Sequence, residues 1–358
     1  MVAPDSAIDQ AQTLAFADRA LRDVSAFMVT TLSALGDRLG LFKELAEHGP
    51  ATSGELATRT GIDERYAREW LGGMTAAGYL THDVATGRFT LPREHAPILA
   101  QEGGPFFMGG GYALLLAEIG QLDRIEDAFR SGRGVPLASY GKRLQQAQER
   151  YSTGWVENAL TQVWIPAMPA VRSKLERGAA VADVGCGGGL ALIKLAQAFP
   201  NSYYVGYDAF EPAIVRATEN ARRAGVSDRV RFQQLDGEGG LPAEYDVITT
   251  FDVVHDAAHP RQLLEAIRQS LKPDGIFVCL DMNCSDQLEE NVGPIGAMMH
   301  GISVLYCLST SIAHGGEGLG TLGLPEIKLR GLAAEAGFAA VRRVPMENPF
   351  NILYEISR

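Results

Sequence analysis

The stretch from Val181 to Asp208 constrains this chain more than any other. The run Val181-Ala182-Asp183-Val184 reads as a buried strand and breaks into the glycine loop Gly185-Cys186-Gly187-Gly188-Gly189. Leu190 to Phe199 then reads as a helix, and Tyr203 to Tyr207 as a second strand that ends on Asp208. Strand, glycine turn, helix, strand and terminal acid make one βαβ unit of nucleotide-binding type. Glycines let the backbone approach a ligand, and the acid accepts hydrogen bonds from ribose hydroxyls.

The glycine spacing selects among nucleotides. A dinucleotide fingerprint, Gly-x-Gly-x-x-Gly counted from Gly185, needs a third glycine where the chain has Leu190. The pattern present is Asp183-x-Gly185-x-Gly187-x-Gly189, with a carboxylate two residues before the first glycine. A negative group there disfavours a pyrophosphate and suits a ligand carrying an ammonium and a sulfonium, such as S-adenosylmethionine. In this form the segment resembles the first motif of the class I methyltransferases, whose second strand also ends on a ribose-binding acid. The resemblance implies that Asp183 orients the methionine ammonium, that Gly185, Cys186, Gly187 and Gly189 lie along the methionine portion, and that Asp208 holds the ribose. It also implies Asp236 and Gly237 at the adenine edge, Phe210 over the adenine face, and Phe251 at the end of a later strand.

The downstream pattern continues the series. Val230 to Leu235 reads as a third strand and Tyr245 to Phe251 as a fourth, and Arg261 to Leu271 has helical spacing. Lys272-Pro273-Asp274-Gly275 is a turn signal before the strand Ile276 to Leu280. Pro325 to Ala336 reads as a helix closed by Gly337, followed by strands from Ala339 to Val344 and from Asn351 to Ile356. The short connection between those two allows only an antiparallel pair, because a parallel pair needs a crossover of roughly a dozen residues or more. The expected fold is therefore α/β, a Rossmann-like methyltransferase-type sheet with one antiparallel strand over residues 171–358.

The first half reads differently. Leu35 to His48 reads as an amphipathic helix, Ser53 to Thr60 as a short helix capped by Ser53, and Asp63 to Ala77 as a third helix closed by Gly78. Tyr79 to His82 and Arg88 to Leu91 flank a turn as a hairpin. Three helices and a hairpin are the winged-helix arrangement, expected over residues 1–100, with a helical connector or lid over 101–170 that includes Tyr112 to Phe129 and Gly141 to Met168. DNA binding is the usual association of a winged helix. Here the third helix opens with Asp63, Glu64 and Glu69 against Arg65 and Arg68, a poor surface for phosphates, and the formal net charge is -11. A ligand-responsive DNA-binding regulator and a non-catalytic cofactor-binding protein remain the rival readings. The expected role of the winged helix is dimerisation, through residues before about Ala100, where Leu14, Phe16, Leu21, Phe27, Met28 and Leu32 supply apolar surface.

Compartment and surroundings follow from composition. The four cysteines, Cys186, Cys279, Cys284 and Cys307, show no C-x-x-C spacing and fit a reducing cytoplasm. Met1 to Ser6 shows no basic region followed by an apolar run, so no secretory signal is expected. The uncharged run from Asn291 to Gly316 is punctuated by glycine and proline, so no bilayer span, and hence no membrane partner, is expected. Met298, Met299, Leu305 and Tyr306 within it are candidates to wall a pocket for an apolar or aromatic acceptor.

From about Leu21 onward the chain resembles the bacterial, mycobacterial-type winged-helix class I methyltransferases. The matching residues are Val181 to Gly187, Tyr204 to Asp208, Thr250-Phe251-Asp252, His255-Asp256, Leu288 to Asn291, Gly315 to Thr321 and Asn348 to Asn351. The chain departs from that family with Tyr306-Cys307 where His-Cys is usual, and with Gly323 where an aromatic often follows. The family implies methyl transfer to a small molecule, a homodimer, and no nucleic-acid partner; oxygen is the favoured acceptor atom, with nitrogen or carbon as alternatives. Val253-Val254-His255-Asp256 also resembles the His-Asp step of plant-type O-methyltransferases, which implies His255 as a general base with Asp256 beside it. No metal is expected, since a His255-x-x-x-His259 pair needs one continuous helix and this segment reads as a strand exit.

Overall fold

A computed structural model describes residues 8–358, which divide between Leu116 and Ala117 into two compact units. Met1 to Ser6, read above for a secretory signal, lies outside the described residues.

The first unit opens with the long helix Gln10–Arg38, capped by the Asp9 carboxylate, which accepts from the N–H groups of Ala11 and Gln12. The single helix expected from Leu35 to His48 is instead the end of this helix and the start of another, Leu41–His48. Gly40 separates them at φ 70°, a left-handed conformation that a right-handed helix cannot contain and that glycine adopts without steric cost. The helices Ser53–Thr60 and Glu64–Ala76 follow. Thr52, not Ser53, caps the first of these in a capping box with Glu55, and Ser53 Oγ donates to Glu64 Oε1 at 2.6 Å. Strands β1 (Thr81–Asp83) and β2 (Arg88–Thr90) pair antiparallel as the wing. Leu41, Phe42, Leu56, Leu71 and Met74 are fully buried at the centre, where Trp70 meets Phe42 edge-on and donates from Nε1 to the Leu32 carbonyl at 2.8 Å.

The expected helix from Tyr112 to Phe129 is two helices, Gly109–Ile119 and Leu122–Ser131. Gly141–Trp155 is α-helical, and over Val156–Trp164 the backbone widens to i→i+5 bonding.

The second unit is built on a seven-stranded sheet. Its strands are β3 (Ala180–Val184), β4 (Tyr203–Asp208), β5 (Val230–Gln234), β6 (Tyr245–Phe251), β7 (Leu271–Met282), β8 (Ala340–Val344) and β9 (Asn351–Ser357). They lie in the order β5-β4-β3-β6-β7-β9-β8, and β9 runs antiparallel to both neighbours. The connection between β8 and β9 is too short for a crossover, which is why the reversal falls there. Alternate residues feed two cores. Val181, Val247, Val278 and Leu353 share one with Leu192 and Leu195, while Ala182, Ile248, Phe277 and Ile356 share the other with Leu264, Ile267 and Leu329. Both faces are covered, as a mostly parallel sheet requires.

Two elements differ from the sequence reading. The expected helix ends at Gln269, so Leu271 is the first residue of β7, and the 272–275 turn is an excursion within that strand. Pairing passes from Tyr245 opposite Leu271 to Val247 opposite Ile276. Asp246 anchors the excursion by accepting from Lys272 Nζ at 2.8 Å and from the Ala180 N–H at 2.8 Å. The second correction concerns 294–313, which forms a helix long and apolar enough, by length and composition, to cross a membrane. Pro294 and Gly296 sit at its start, Gly301 is accommodated within it, and several of its hydroxyls bond within the same unit. Ser311 Oγ donates to the Ala257 carbonyl at 3.2 Å, and Ser303 Oγ accepts from the Thr321 N–H at 3.1 Å.

Candidate functional site

Strand order reverses at β3, which lies between β4 and β6, and ligands of open α/β sheets bind at such a point beyond the carboxyl ends of the strands. The glycine loop fills it. The N–H groups of Gly185 and Cys186 both donate to the Tyr207 carbonyl, at 2.8 and 2.9 Å. Gly185, Gly187 and Gly189 have φ of 71°, 51° and 75°, so three left-handed residues turn the chain from β3 into the helix Leu190–Ala198. A side chain at Gly185 would run into Val253, and one at Gly189 into Phe232, whereas one at Gly187 would meet nothing. Gly187 therefore marks the open side of the loop.

Two carboxylates flank that opening. Asp208 Oδ2 accepts from the Gly187 N–H at 2.9 Å, and its Oδ1 accepts from the Phe210 N–H at 2.9 Å. Burial pushes its pKa up, and the two N–H donors hold it back. Asp183 is buried beneath the loop, accepts from Thr249 Oγ1 at 2.6 Å, and is pushed up to about 7 by burial, with Asp208 adding to the shift. Burial favours a proton on such a group unless a cation arrives.

The other residues read for the cofactor are spread more widely. Cys186 is buried in the turn, and burial together with Asp183 and Asp208 pushes its thiol pKa well up. Phe210 is half-buried immediately before the helix Glu211–Arg223. Asp236 is exposed and accepts from the Glu238 N–H at 3.1 Å, and Gly237 is buried against Val184. Phe251 packs in an aromatic row, its centroid 5.2 Å from Trp155, which stacks on Trp164 at 5.2 Å.

The helix Gly141–Trp155, read from the sequence only as part of the connector or lid, reaches both sides of this region. Glu149 accepts from Arg216 Nε and from Asn220 Nδ2, and Asn220 also donates to the Gly188 carbonyl at 2.9 Å. One residue earlier, Gln148 Nε2 donates to the Tyr306 hydroxyl at 2.9 Å. These partners are 67 to 158 positions apart in the chain, so no local pattern announces them.

Beyond β6 the chain bends at Asp252, which has φ 57°, the one positive value at a non-glycine among the described residues. Asn351 Nδ2, at the start of β9, donates to Asp252 Oδ1 at 2.6 Å. Burial pushes Asp252 up to about 7, with Asp281 adding to the shift. His255 follows, buried, with Nδ1 2.7 Å from Asp281 Oδ1 and Nε2 3.1 Å from Asp256 Oδ1. Burial alone pulls the imidazole pKa down, but Asp256 and Asp281 override it and hold it well above the usual value. Asp281 was missed from the sequence, although an acid immediately after the apolar run Ile276 to Leu280, level with the exit of β6, was a usable signal.

Of the residues read for an acceptor pocket, Tyr306 joins this group. It feels the charge of Asp256 and meets Tyr140 edge-on at 5.5 Å, while the Tyr140 hydroxyl donates to the Leu305 carbonyl. Met298 is exposed, and Met299 lines a different groove of about 740 Å³ together with Cys284, Asn291 and Arg330. His255, Asp256 and Cys307 place ligand-type atoms within 4.8 Å of one another. The Cys307 thiol is pushed up to about 12 by burial and accepts from Thr321 Oγ1 at 3.0 Å, so it keeps its proton rather than offering a thiolate. The His259 backbone N–H donates to Glu238 Oε1 at 2.8 Å.

Comparison with known proteins bears on this arrangement. Residues 182–277 match the family described as Methyltransferase domain, and residues 26–101 match the Rv2258c-like winged HTH domain. A ubiquinone biosynthesis O-methyltransferase of Roseobacter denitrificans is 34% identical over 107 residues, which are 30% of this chain and 42% of that protein. The chain thus spans less than half the length of such curated relatives. Among solved structures, mitomycin 7-O-methyltransferase MmcR superposes with a TM-score of 0.71 at 18% identity, covering 97% of this chain and 99% of that one. Human N-acetylserotonin methyltransferase, solved in complex with SAM, gives 0.70 at 18% identity, covering 98% and 99%. At that identity the likeness is one of fold. The chain carries an Rv2258c-like winged helix-turn-helix domain followed by a methyltransferase domain of the class I, Rossmann-like fold.

Proposed function

We propose that this protein is an S-adenosylmethionine-dependent methyltransferase that methylates oxygen on a small, apolar or aromatic molecule. The observation that carries the reading is the pair of carboxylates, Asp183 and Asp208, on either side of a glycine loop left open at Gly187. This set fits the cofactor. An anionic pair suits an ammonium and a sulfonium, and Asp208 is held by two backbone N–H groups with its remaining acceptor capacity free for ribose hydroxyls. Asp183 would meet the ammonium, the backbone from Gly185 to Gly189 would lie along the methionine portion, and the turn at Asp236 and Gly237 would border the adenine. When bound, the cofactor supplies an electrophilic methyl group.

The chain itself does the positioning and the proton handling. Glu149 and Gln148 tie one helix to the glycine loop and to Tyr306, which keeps the donor and acceptor sides in register. His255 Nε2 lies 3.1 Å from Asp256 Oδ1, so a proton taken from an acceptor hydroxyl by the neutral imidazole would be held in an ion pair with Asp256. Asp281 then steadies the imidazolium through Nδ1. The sulfonium is activated enough that no metal is required.

The same reading makes the protein a cytoplasmic homodimer with neither nucleic acid nor membrane as a partner. The helix Gln10–Arg38 exposes Leu14, Phe16, Leu21 and Phe27, the surface expected of a subunit contact. The rival regulator reading is disfavoured because acids stand beside the arginines of the third helix and the wing. Arg65 pairs with Glu69, Arg68 with Glu64, and Arg88 with Glu55 and the Pro50 carbonyl. Calorimetry with S-adenosylhomocysteine tests the central claim, and binding is expected where NAD gives none of comparable strength. Tight NAD binding, or a gel shift with DNA fragments and no S-adenosylhomocysteine binding, overturns it. Light scattering that reports a monomer at micromolar concentration removes the dimer.

A further inference from the structure

Four glycines build the loop after β3, and backbone conformation accounts for three of them, since Gly185, Gly187 and Gly189 are left-handed. Gly188 is not, so its backbone requires no glycine. What it requires is room. A Cβ at this position would come within 2.7 Å of Glu149 Oε2, 3.0 Å of its Cδ and 3.2 Å of its Cγ, so Glu149 occupies the space that a side chain at 188 would need. Gly188 also carries the N–H of this loop that meets no partner among the described residues, whereas those of Gly185, Cys186, Gly187 and Gly189 are bonded.

Glu149 is held in that place from two directions. Its side chain is 13% exposed on the helix Gly141–Trp155, its Oε2 accepts from Arg216 Nε, and its Oε1 accepts from Asn220 Nδ2 at 3.1 Å. Asn220, buried on the helix Glu211–Arg223, gives the other hydrogen of Nδ2 to the Gly188 carbonyl at 2.9 Å, and its Oδ1 accepts from Arg223 at 2.7 Å. Two acceptors at one end of this amide and a donor at the other leave it a single orientation, because turning it over would set oxygen against oxygen twice. Glu149 therefore orients Asn220, and Asn220 fixes the peptide that follows Gly188. A largely buried carboxylate keeps its charge where a cation stands against it, which draws Arg216 into the same cluster.

We propose that Glu149 is a positioning residue for cofactor binding, which acts through Asn220 to set the form of the Gly187-Gly188-Gly189 turn that receives the methionine portion of S-adenosylmethionine. This rests on the methyl-transfer reading above and adds to it a residue that lies outside the glycine loop. By that reading the ribose meets Asp208 and the adenine borders the 236–237 turn, so Glu149 acts on the amino-acid end of the ligand. A brace that only stabilised the fold would lower affinity for every part of the ligand alike.

The test compares S-adenosylhomocysteine with 5′-methylthioadenosine, which has the same adenine and ribose but lacks the amino-acid end. In calorimetry, Glu149→Ala should lower S-adenosylhomocysteine affinity at least about tenfold and change methylthioadenosine affinity less than about twofold, and the second figure also reports that the variant is folded. Glu149→Gln keeps the shape but turns an N–H₂ group toward the donors Arg216 and Asn220, so it should lose affinity in the same selective way. Gly188→Ala should weaken S-adenosylhomocysteine binding in the parent, where the new methyl meets Glu149, by about tenfold, and by less than about threefold when added to Glu149→Ala. Parent-like S-adenosylhomocysteine affinity in both Glu149 variants, a parallel loss of both ligands in Glu149→Gln, or a Gly188→Ala effect of equal size in the two backgrounds overturns the role of Glu149. Failure of S-adenosylhomocysteine itself to bind the parent overturns the methyl-transfer reading instead.

Discussion

Asp281 Oδ1 lies 2.7 Å from His255 Nδ1, and both side chains are buried. One comes from the end of β7 and the other from the loop after β6, neighbouring parallel strands whose carboxyl ends lie level. A carboxylate on Nδ1 fixes the ring, and Nε2 then faces Asp256 Oδ1 at 3.1 Å.

Asp281→Asn should therefore lower the His255 pKa, because it removes one of the two carboxylates that raise it. The sign for stability follows. A histidine whose folded pKa exceeds its unfolded value of about 6.5 stabilises the fold fully below that value, and the contribution is lost as pH rises through the folded pKa. The stability deficit of Asp281→Asn should accordingly be larger at pH 6 than at pH 10 in urea unfolding. A nitrogen-15 NMR titration of His255 should show the shift directly, and an unchanged midpoint would remove Asp281 from this role.

Asp183→Asn should stabilise the protein and disable it. The folded pKa of Asp183 is about 7, above its unfolded value, so the parent loses stability as pH rises from about 4 to 7, where the folded state gives up a proton that it favours. At pH 8 the variant should gain on the order of 1–3 kcal/mol in chemical denaturation. S-adenosylhomocysteine affinity should fall at least about tenfold, because a neutral amide replaces the partner of the ammonium.

Asp208→Ala should weaken S-adenosylhomocysteine binding by about 1–3 kcal/mol, the range for hydrogen bonds to a charged acceptor. It should also release the Gly187 and Phe210 N–H groups that the carboxylate now gathers. Calorimetry that finds the variant equal to the parent would place the ribose elsewhere.

Glycine substitutions should separate folding from binding within one loop. Gly189→Ala forces a side chain into Phe232 at φ 75° and should cost about 1–3 kcal/mol of stability. Gly187→Ala meets nothing at φ 51°, so its stability cost should be only about 1 kcal/mol, while the added methyl sits on the ligand side. Urea denaturation and S-adenosylhomocysteine calorimetry on both variants check this, and the two should fall in opposite order.

Local signals in the chain already determined much of this protein. Period-two apolar runs placed β3 to β6 within a residue or so, the short 345–350 connection forced the reversed strand, and the alternation Asp183-x-Gly185-x-Gly187-x-Gly189 located a loop that left-handed glycines do build. Such features depend on residues a few positions apart, where steric and hydrogen-bonding rules act directly. Helix breaks were less legible. The chain turns at Gly40, and the Leu35 to His48 pattern stayed amphipathic across that break, because a hydrophobic stripe is set by burial and a break by one backbone angle.

Only the tertiary structure decided which acids serve the site. His255 meets Asp281 from 26 positions away, Asp252 meets Asn351 from 99, and Glu149 reaches the glycine loop from a helix that shows no pattern of its own. Met298 and Met299, adjacent to one another and plausible by composition, face solvent and a different groove. Glu118 looks in sequence like an ordinary helical glutamate. What sets it apart is full burial with no hydrogen bond to either carboxyl oxygen among the described residues, a property of packing that no run of neighbouring residues encodes.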